Sequence, residues 1–538
     1  MLDQMSSQKR FLIAMVLAMV FFVAYDSFYL SKFRQADANK TAQTTQTTKQ
    51  GVANANSTHA APVSKNQTNL NQSLIKHEPS KPLVEVNLKF AKASIDEFGR
   101  INSYVLTEQK YKDDDGKEIN LVNENPNGAP LPLEVRFENA ELNNLIFSTP
   151  YSASKTVVDA TNGEDSIILT QNLGEIQIQK TISFKPDGSY KMDIKLNKAT
   201  NYFVSPGSRP SVVVDGYTVH GVLLRNSEDK IKTFEDGAVK SNENLSNINI
   251  AAVSDRYYTA LFYDLNNNLN VVVTSQDKIS QIFAKGSGDM SLTGYIGPKE
   301  YDKLNAIDSK LTDVIEYGWF TFIAKPMFKF LKWLHSYIGN WGWAIVVMTL
   351  VVRMFLAYPT YRGMLSMNKL KDLAPKLKEL QEKYKDNPTK MQTEIMGLYR
   401  KHGANPLGGC LPILLQIPIF FAIYRVLLNA IELKGAPWIF WVQDLAIKDP
   451  YFILPLTMGA LMYLQQKITP TNFSDPMQEK IMRLLPLIFT VFFIYFPAGL
   501  TLYWTINNIC SLTQQYIVNK IFEKQKREAK LEHENRSR

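Results

Sequence analysis

The sequence has 538 residues, a formal net charge of +9 and 45% hydrophobic residues, and its mean hydropathy is −0.18. This length exceeds one ordinary domain, and the apolar and aromatic content excludes a collagen-like or fully disordered chain. The two cysteines, Cys410 and Cys510, are too few for a disulfide framework, a zinc site or an iron–sulfur cluster.

An apolar run near the N-terminus, Phe11–Tyr25, follows two basic residues. A cleaved signal peptide would share this pattern, but no small-residue cleavage site follows the run. Residues 1–30 therefore predict an uncleaved signal anchor with a cytoplasmic N-terminus. Residues 31–82 are rich in Thr, Gln, Asn, Ala and Ser, and they predict a flexible linker because they cannot bury enough apolar surface to offset their ordering entropy.

Residues 83–310 change to an alternation of apolar and polar residues with a period of two. The pattern is clearest at Leu83–Leu88, Ile176–Gln179 and Met192–Leu196, and turn pairs such as Asp187-Gly188 separate such segments. No convincing long helical pattern interrupts them. We therefore predict a large antiparallel β-sandwich that the anchor holds outside the cytoplasm.

An amphipathic stretch follows at residues 311–337, where aromatic residues are interleaved with Lys325, Lys329 and Lys332. Such a pattern suits a helix that lies in the membrane interface, although an ordinary surface helix packed on the sandwich would also fit it. Five apolar segments downstream are candidates for membrane spans, two of them near the lower length limit of about 17 residues. They are residues 338–359, 407–430, 451–467, 484–496 and 498–519.

The charges between these segments predict their orientation, because cytoplasmic loops carry an excess of Lys and Arg. The loop 361–405 and the tail 520–538 are both basic, so both are predicted to be cytoplasmic. With the anchor, six spans then place both termini in the cytoplasm. Since the basic residues lie beside apolar segments, they indicate membrane topology better than nucleic-acid recognition, and we expect no direct DNA binding.

One charged residue, Arg353, interrupts the apolar run Val346–Leu356 of the second predicted span. An arginine near the bilayer centre costs at least about 2.5–3.5 kcal/mol, so it should face protein or water rather than lipid. Thr349 lies four residues earlier on the same helical face, and Gln416 of the next span lies at a similar predicted depth. Together they predict a hydrated pocket open to the cytoplasm. The alternative is that Arg353 simply extends to the inner headgroups.

A second arginine, Arg425, lies near the outer end of its predicted span, where extension to the headgroups is the better interpretation. The loop 361–405 predicts an amphipathic helical hairpin that is broken at Lys385–Pro388, with Pro388 able to open the second helix. Its methionines are flexible apolar side chains that could adapt to varied partners, and a plainly packed hairpin is an equally good explanation. These residues are Met364, Met367, Met391 and Met396.

The sequence contains no evident catalytic constellation. Its six histidines are scattered without metal-ligand spacing, and neither a glycine-rich phosphate loop nor a GxSxG elbow occurs. We therefore expect no enzymatic activity, metal or cofactor. Two alternatives from other classes stay open. A small-solute transporter would need several buried ionisable groups, and a membrane-anchored periplasmic carbohydrate-active or carbohydrate-binding protein would carry its site, such as paired carboxylates, in the β-rich domain.

Six distinctive short motifs lie between Tyr295 and Asn519. They are Tyr295-Ile296-Gly297-Pro298-Lys299, Gly339-Asn340-Trp341-Gly342-Trp343, Asn405-Pro406-Leu407-Gly408-Gly409-Cys410, Gln416-Ile417-Pro418, Asp449-Pro450-Tyr451 and Phe496-Pro497-Ala498-Gly499-Leu500. In these motifs the chain resembles the YidC-type membrane protein insertases of the Gram-negative kind. Its β-rich domain resembles theirs in layout only.

The resemblance implies a periplasmic antiparallel β-supersandwich joined to an α-helical membrane domain with six transmembrane helices in total. It implies an inner-membrane protein that inserts and folds other membrane proteins, alone or beside the Sec translocon. It also implies that Arg353, Thr349 and Gln416 line a hydrophilic groove and that Trp504 packs near it. The hairpin and the basic tail are then expected to meet nascent membrane proteins, signal recognition components and ribosomes.

Overall fold

The computed structural model describes residues 80–113, 115–122, 128–213, 218, 220–405, 411–469 and 476–536. The chain divides into two compact units, of which the first ends at Val314 and the second starts at Ile315. The predicted anchor, nearly all of the predicted linker and Cys410 lie outside the described residues.

Within the described residues, the first unit contains seventeen β-strands. They are β1 (Pro82–Leu88), β2 (Ala91–Asp96), β3 (Ile101–Leu106), β4 (Val135–Phe137), β5 (Ser152–Ala153), β6 (Val157–Ala160), β7 (Asp165–Leu173), β8 (Ile176–Phe184), β9 (Ser189–Leu196), β10 (Tyr202–Val204), β11 (Gly221–Asn226), β12 (Ile231–Glu235), β13 (Glu243–Ser254), β14 (Tyr258–Tyr263), β15 (Leu269–Gln276), β16 (Ile279–Gly286) and β17 (Met290–Pro298). Two short helices, α1 (Ala140–Ile146) and α2 (Tyr301–Ile307), accompany them.

These strands form two sheets. A four-stranded sheet has the order β3-β2-β1-β6, in which only β1 and β6 are parallel. A thirteen-stranded sheet has the order β4-β10-β16-β15-β13-β14-β17-β9-β8-β7-β5, and β11 and β12 join it through β13. Neighbours in the larger sheet are antiparallel. The predicted β-sandwich is therefore confirmed, apart from the parallel pair.

Strand β8 shows how the period of two builds the core and where it is interrupted. Ile178 and Ile182 are fully buried, while the residues beside them are more exposed, as alternation across a strand requires. Lys180 occupies the inward position between them and is also fully buried. Its ammonium group donates to the main-chain carbonyls of Gly99 and Leu133, both at 3.0 Å. A charged side chain thus occupies a position where the pattern favours an apolar one.

The second unit is helical in the part that the structure describes. Its helices are α3 (Thr321–Ile338), α4 (Trp341–Asp372), α5 (Ala374–Lys383), α6 (Pro388–Lys401), α7 (Leu411–Asn429), α8 (Ile453–Ile468), α9 (Pro476–Phe493) and α10 (Ala498–Arg536). Of these described helices, α4 alone is long and apolar enough to cross a membrane by length and composition. Shorter apolar stretches occur at Leu414–Asn429 and Met482–Phe493. The predicted total of six spans is therefore not confirmed.

Helix α4 extends well beyond its predicted segment. It continues through Pro359 to Asp372, although a proline inside a helix removes one main-chain hydrogen bond. Gln514 of α10 donates to the carbonyl of Ala357 at 2.8 Å and so adds a hydrogen bond in this turn. Helix α9 begins before its predicted segment 484–496 but ends at Phe493, short of the predicted end. Helix α10 begins at the predicted residue and continues as helix through the described residues of the predicted basic tail.

Local chemistry fixes the junction between α3 and α4. Gly339 ends α3 in the left-handed region, at a φ of 71°, which favours glycine. Asn340 caps α4, because its side chain accepts from the N–H of Trp343 at 3.0 Å. The same side chain donates to the carbonyl of Trp438 at 3.1 Å. A Cβ on Gly342 would lie 2.3 Å from the Trp438 ring, so only glycine allows this packing.

Candidate functional site

Three helices of the second unit share a group of polar side chains, here termed the polar cluster: Arg353 of α4, Gln416 of α7, and Asn507 and Ser511 of α10. Arg353 Nε donates to Asn507 Oδ1 at 2.6 Å. Arg353 Nη2 donates to the Asn507 carbonyl at 3.1 Å and to the Ser511 hydroxyl. Gln416 Nε2 donates to the same Asn507 Oδ1 at 3.0 Å. Asn507 therefore joins all three helices.

The polar cluster leaves the positive charge of Arg353 without a counter-charge. Its partners are an amide, a main-chain carbonyl and a hydroxyl, and among the described residues it has no carboxylate partner. Hydrogen bonds to a charged group each contribute about 1.5–3 kcal/mol, which offsets the cost of placing an arginine in an apolar helix. Asn507 and Ser511 are buried, whereas Arg353 and Gln416 are partly exposed. The charge thus lies at the edge of the packed helices.

Thr349 does not join the polar cluster through a hydrogen bond. Its side chain is buried, and its hydroxyl donates to the Ile345 carbonyl of its own helix at 2.7 Å. A threonine in a helix often makes this bond to the carbonyl four residues earlier. The spacing that relates Thr349 to Arg353 is present, but the threonine satisfies its own hydroxyl.

Trp504 lies about one helical turn from the polar cluster and belongs to an aromatic group. Its ring centroid lies 4.6 Å from that of Phe420 in an edge-on arrangement and 5.5 Å from that of Phe493. Aromatic pairs of this kind contribute about 0.5–1.5 kcal/mol beyond their buried area. Since Phe420 lies one turn after Gln416 on α7, an apolar aromatic wall borders the polar cluster on both α7 and α10.

Asn507 and Ser511 are the functional candidates that the sequence analysis missed. The available signal is a series of polar residues at spacings of three and four in the last predicted span, namely Asn507, Ser511 and Gln514. In a predicted membrane span, such a polar stripe marks a face that turns towards protein. The structure confirms this for all three residues, since each binds α4.

A second group of amides lies further along α10 and ties helices together without any charge. Asn519 Nδ2 donates to the carbonyl of Ile468 at 2.9 Å, where α8 ends. Asn519 Oδ1 accepts from Asn368 of α4 at 3.0 Å and from Gln515 at 2.8 Å. These groups satisfy one another, which distinguishes them from the uncompensated charge of the polar cluster.

Arg425 binds protein, so the expectation that it extends to the headgroups is wrong. Its Nη1 lies 3.2 Å from Glu316 Oε2. Asn429, one turn later on α7, donates to the Glu316 carbonyl at 2.7 Å. Phe421, one turn earlier, stacks on Phe320 with centroids 5.8 Å apart. One face of α7 thus holds the segment that precedes α3, and the acidic partner lies 109 residues away in sequence.

The predicted partner-binding methionines fall in two places. Met364 and Met367 lie in the C-terminal part of α4, whereas Met391 and Met396 lie on α6, which begins at Pro388 as predicted. Met396 is exposed and the other three are partly exposed. None of the residues of α5 and α6 is buried. The hairpin of α5 and α6 is therefore a surface element whose apolar side chains stay accessible.

Comparison with known proteins gives matches over both units. The family model "YidC periplasmic domain" matches residues 84–330, and "60Kd inner membrane protein" matches residues 333–526. The membrane protein insertase YidC of Campylobacter jejuni is 51% identical to this chain, covering 96% of it and 97% of the relative.

Two further relatives agree with this result. The YidC insertases of Wolinella succinogenes and Helicobacter pylori are 44% and 45% identical and each cover 98% of the chain, with 97% and 98% of their own lengths. These matches give no support to a transporter or to a carbohydrate-directed protein. The chain therefore belongs to the YidC family of membrane protein insertases, and it is an inner-membrane protein with a periplasmic β-rich domain.

Proposed function

We propose that this protein inserts nascent membrane proteins by guiding their polar flanks through the polar cluster, which opens to the cytoplasm and to lipid. The observation that carries the proposal is the uncompensated charge of Arg353 in an apolar helix. A polar flank must otherwise cross about 30 Å of hydrocarbon, where each charged side chain costs several kcal/mol. A hydrated recess shortens that path and lowers the barrier.

The proposed topology has six spans: the N-terminal anchor, α4, α7, α8, α9 and α10, with both termini in the cytoplasm. Exposed apolar side chains support lipid-facing surfaces on these helices, for example Phe355 on α4, Leu456 on α8 and Leu487 on α9. The 16 residues of α8 extend about 24 Å, less than the usual hydrocarbon thickness. Such short spans favour a locally thinner bilayer.

Helix α3 is proposed to lie in the interface on the periplasmic side of the inner membrane rather than to span the bilayer. Three of its aromatic side chains are prominently exposed, with Phe322 at 74%, Trp333 at 53% and Tyr337 at 76%, whereas Phe328 is buried. Lysines lie between these aromatic residues. Aromatic rings and lysines together suit the headgroup region, where one end of a side chain is apolar and the other is wet.

Arg353 acts in this mechanism as an electrostatic guide. Its Nε and Nη2 bind α10, and in the described residues Nη1 makes no hydrogen bond, so Nη1 is available to a substrate carboxylate. Attraction between opposite charges is stronger where the local dielectric constant is low. The apolar segment of the substrate then passes along the spans into lipid. Burial of its apolar surface, at about 25 cal/mol per Å², drives this step, and no covalent chemistry is needed.

The cytoplasmic partners are proposed to meet the hairpin of α5 and α6 and the end of α10. The accessible methionines can adapt to varied apolar segments. Beyond Asn519, α10 carries a series of basic residues: Lys520, Lys524, Lys526, Arg527 and Lys530. A basic helix attracts polyanionic surfaces such as ribosomal RNA. The proposed partners are ribosomes, signal recognition components and the Sec translocon.

The test measures insertion of a single-span substrate with an acidic flank into proteoliposomes that contain the full chain. We expect Arg353→Ala to reduce insertion and Arg353→Lys, which keeps the charge, to preserve most of it. The matched control substrate carries Asn and Gln in place of its acidic residues, and its insertion should respond little to either change. Equal insertion of the acidic substrate by wild type and Arg353→Ala would overturn the proposal.

A further inference from the structure

The loop between α7 and α8 exposes an aromatic surface, here termed the aromatic tip: Phe440, Tyr451 and Phe452. Phe440 is 80% exposed, more than any other large apolar side chain in the described residues, and Tyr451 is 66% exposed. The stretch 435–443, which contains Phe440, has no charged residue. Full exposure of such rings to water is unfavourable, because an aromatic side chain has 150–250 Å² of surface to bury, at about 25 cal/mol per Å².

Two residues of the aromatic tip have a strained backbone conformation. Phe440 has a φ of 51° and Phe452 a φ of 57°. For a bulky L-residue this left-handed region costs about 1–2 kcal/mol. Strained residues of this kind persist only where their surroundings impose them, and they concentrate at functional positions. A loop that merely connected two helices would not need to expose two aromatic rings at this cost.

The contacts around Asp449 show what imposes the conformation. Its buried carboxylate accepts hydrogen bonds from the indole N–H of Trp441 at 3.0 Å and from the N–H groups of Tyr451 at 3.0 Å and Leu454 at 2.7 Å. The Phe440 ring stacks on Trp441, with an interplanar angle of 11°. The Asp449 carboxylate thus links Trp441, on which the Phe440 ring stacks, to Tyr451 and to the first turn of α8.

The aromatic tip is continuous with an apolar face of α8. Ile453 directly follows Phe452 and is 40% exposed, and Leu456, one turn further on, is 58% exposed. If α8 crosses the bilayer, its exposed residues face lipid, and the surface that continues from them past Phe452 reaches the outer boundary of the hydrocarbon. The partner that fits this surface is therefore lipid rather than a folded protein.

We propose that the aromatic tip inserts into the outer leaflet, with its rings at the boundary between headgroups and acyl chains. This inference rests on the proposed function, which makes α8 a span with its N-terminal end outside. Aromatic rings favour this depth. Helix α8 alone extends about 24 Å, and the inserted tip lengthens the apolar surface at its outer end. The tip thereby sets the depth of the bundle and, with it, the depth of the polar cluster in the bilayer.

The experiment uses spin labels on single-cysteine variants of the full chain, with Cys410 and Cys510 replaced by Ser. The protein is reconstituted in vesicles of phosphatidylethanolamine and phosphatidylglycerol. Relaxation of the label by oxygen reports lipid, and relaxation by a water-soluble nickel chelate reports water. Labels at Phe440→Cys and at Tyr451→Cys test the tip, and the second guards against a local effect of losing the Phe440 ring.

Two control positions calibrate the measurement. Val157→Cys lies at a 47% exposed apolar position of the β-rich unit and should be accessible to the nickel chelate. Phe355→Cys lies at a 77% exposed position of α4 and should be accessible to oxygen. We expect both labels of the tip to resemble the Phe355 label rather than the Val157 label.

The other outcomes separate this inference from the proposed function. Tip labels in water, with the Phe355 label in lipid, would overturn the inserted tip and leave the proposed topology standing. Tip labels that neither reagent reaches would indicate a protein contact and would also overturn it. A Phe355 label in water would overturn the membrane placement of α4, and with it both proposals.

Discussion

Lys180 shows what one buried charge does to the stability of the β-rich unit. It lies 4.8 Å from the centre of the Tyr151 ring, and burial lowers its pKa from 10.5 to about 7. The unfolded chain keeps the proton up to about pH 10.5, whereas the folded chain releases it above about pH 7. In this window the unfolded state binds more protons, so stability rises with pH. Below it, both states are protonated and the full cost of burying the charge remains.

We therefore expect the wild type to gain free energy of unfolding relative to Lys180→Met as the pH rises from about 7 towards 10.5. Methionine has a similar length and does not titrate. It also loses the two hydrogen bonds to Gly99 and Leu133, so the contribution of the Lys180 titration is the change with pH in the difference between the two proteins, not the difference at any one pH. The measurement is hydrogen exchange of peptides from β8 in the full chain, compared between the two proteins at each pH. A difference in protection that stayed constant across the window would contradict the assignment.

Asn507 provides the sharpest test of the uncompensated charge. Asn507→Asp keeps the shape of the side chain but places a carboxylate about where Oδ1 now lies, 2.6 Å from Arg353 Nε. An ion pair between the new carboxylate and Arg353 would form there and neutralise the positive charge that Arg353 offers to the substrate. We expect insertion of an acidic-flank substrate to fall by at least about tenfold, or about 1.4 kcal/mol, while thermal stability is kept. Unchanged insertion in a variant that folds normally would argue that the charge of Arg353 plays no part.

At the scale of elements, the segment Ile315–Phe320 acts as a strap on α7. Its Glu316 binds Arg425 through the side chain and Asn429 through the main chain. The pair of Glu316 and Arg425 is only partly exposed, so its two charges are less screened than those of a surface pair. The strap therefore fixes the start of α3 against a helix that also carries Gln416.

A charge-reversal cycle measures this contact. We expect Glu316→Arg and Arg425→Glu each to lower the thermal midpoint of the full chain in detergent. The double variant should recover part of the loss, with a coupling of about 1–2 kcal/mol, within the range seen for contacting residues. Strictly additive losses would show that the two side chains do not stabilise each other.

At the scale of the whole molecule, the sequence predicts the β-rich unit well because its burial signal is local. Alternation of the kind seen at Ile178 and Ile182 can be read within one strand. The order of the strands cannot be read in this way, since the larger sheet pairs β10 with β16 and β9 with β17. Lys180 breaks the alternation, and its partners come from segments far away in the chain.

The candidate site follows the same division between local and distant information. Arg353 stands out because one charge in an apolar run is a local anomaly. Its partner Asn507 lies 154 residues away, and a polar residue in a later helix does not reveal which helix it meets. Thr349 shows the converse, because helical spacing fixes its face but not the atom to which its hydroxyl donates. Local sequence patterns likewise could not predict that Arg425 pairs with Glu316.

The most direct test of the central claim is site-specific photocrosslinking to a ribosome-stalled nascent chain whose acidic flank has begun to insert. A photoreactive residue replaces Gln416, which shares Asn507 with Arg353. The matched control replaces Phe355, which lies two positions after Arg353 and so on nearly the opposite side of α4 at a similar depth. We expect the flank to crosslink from position 416 and much less from position 355. Crosslinks from position 355 alone, or equal yields from both, would contradict passage through the polar cluster.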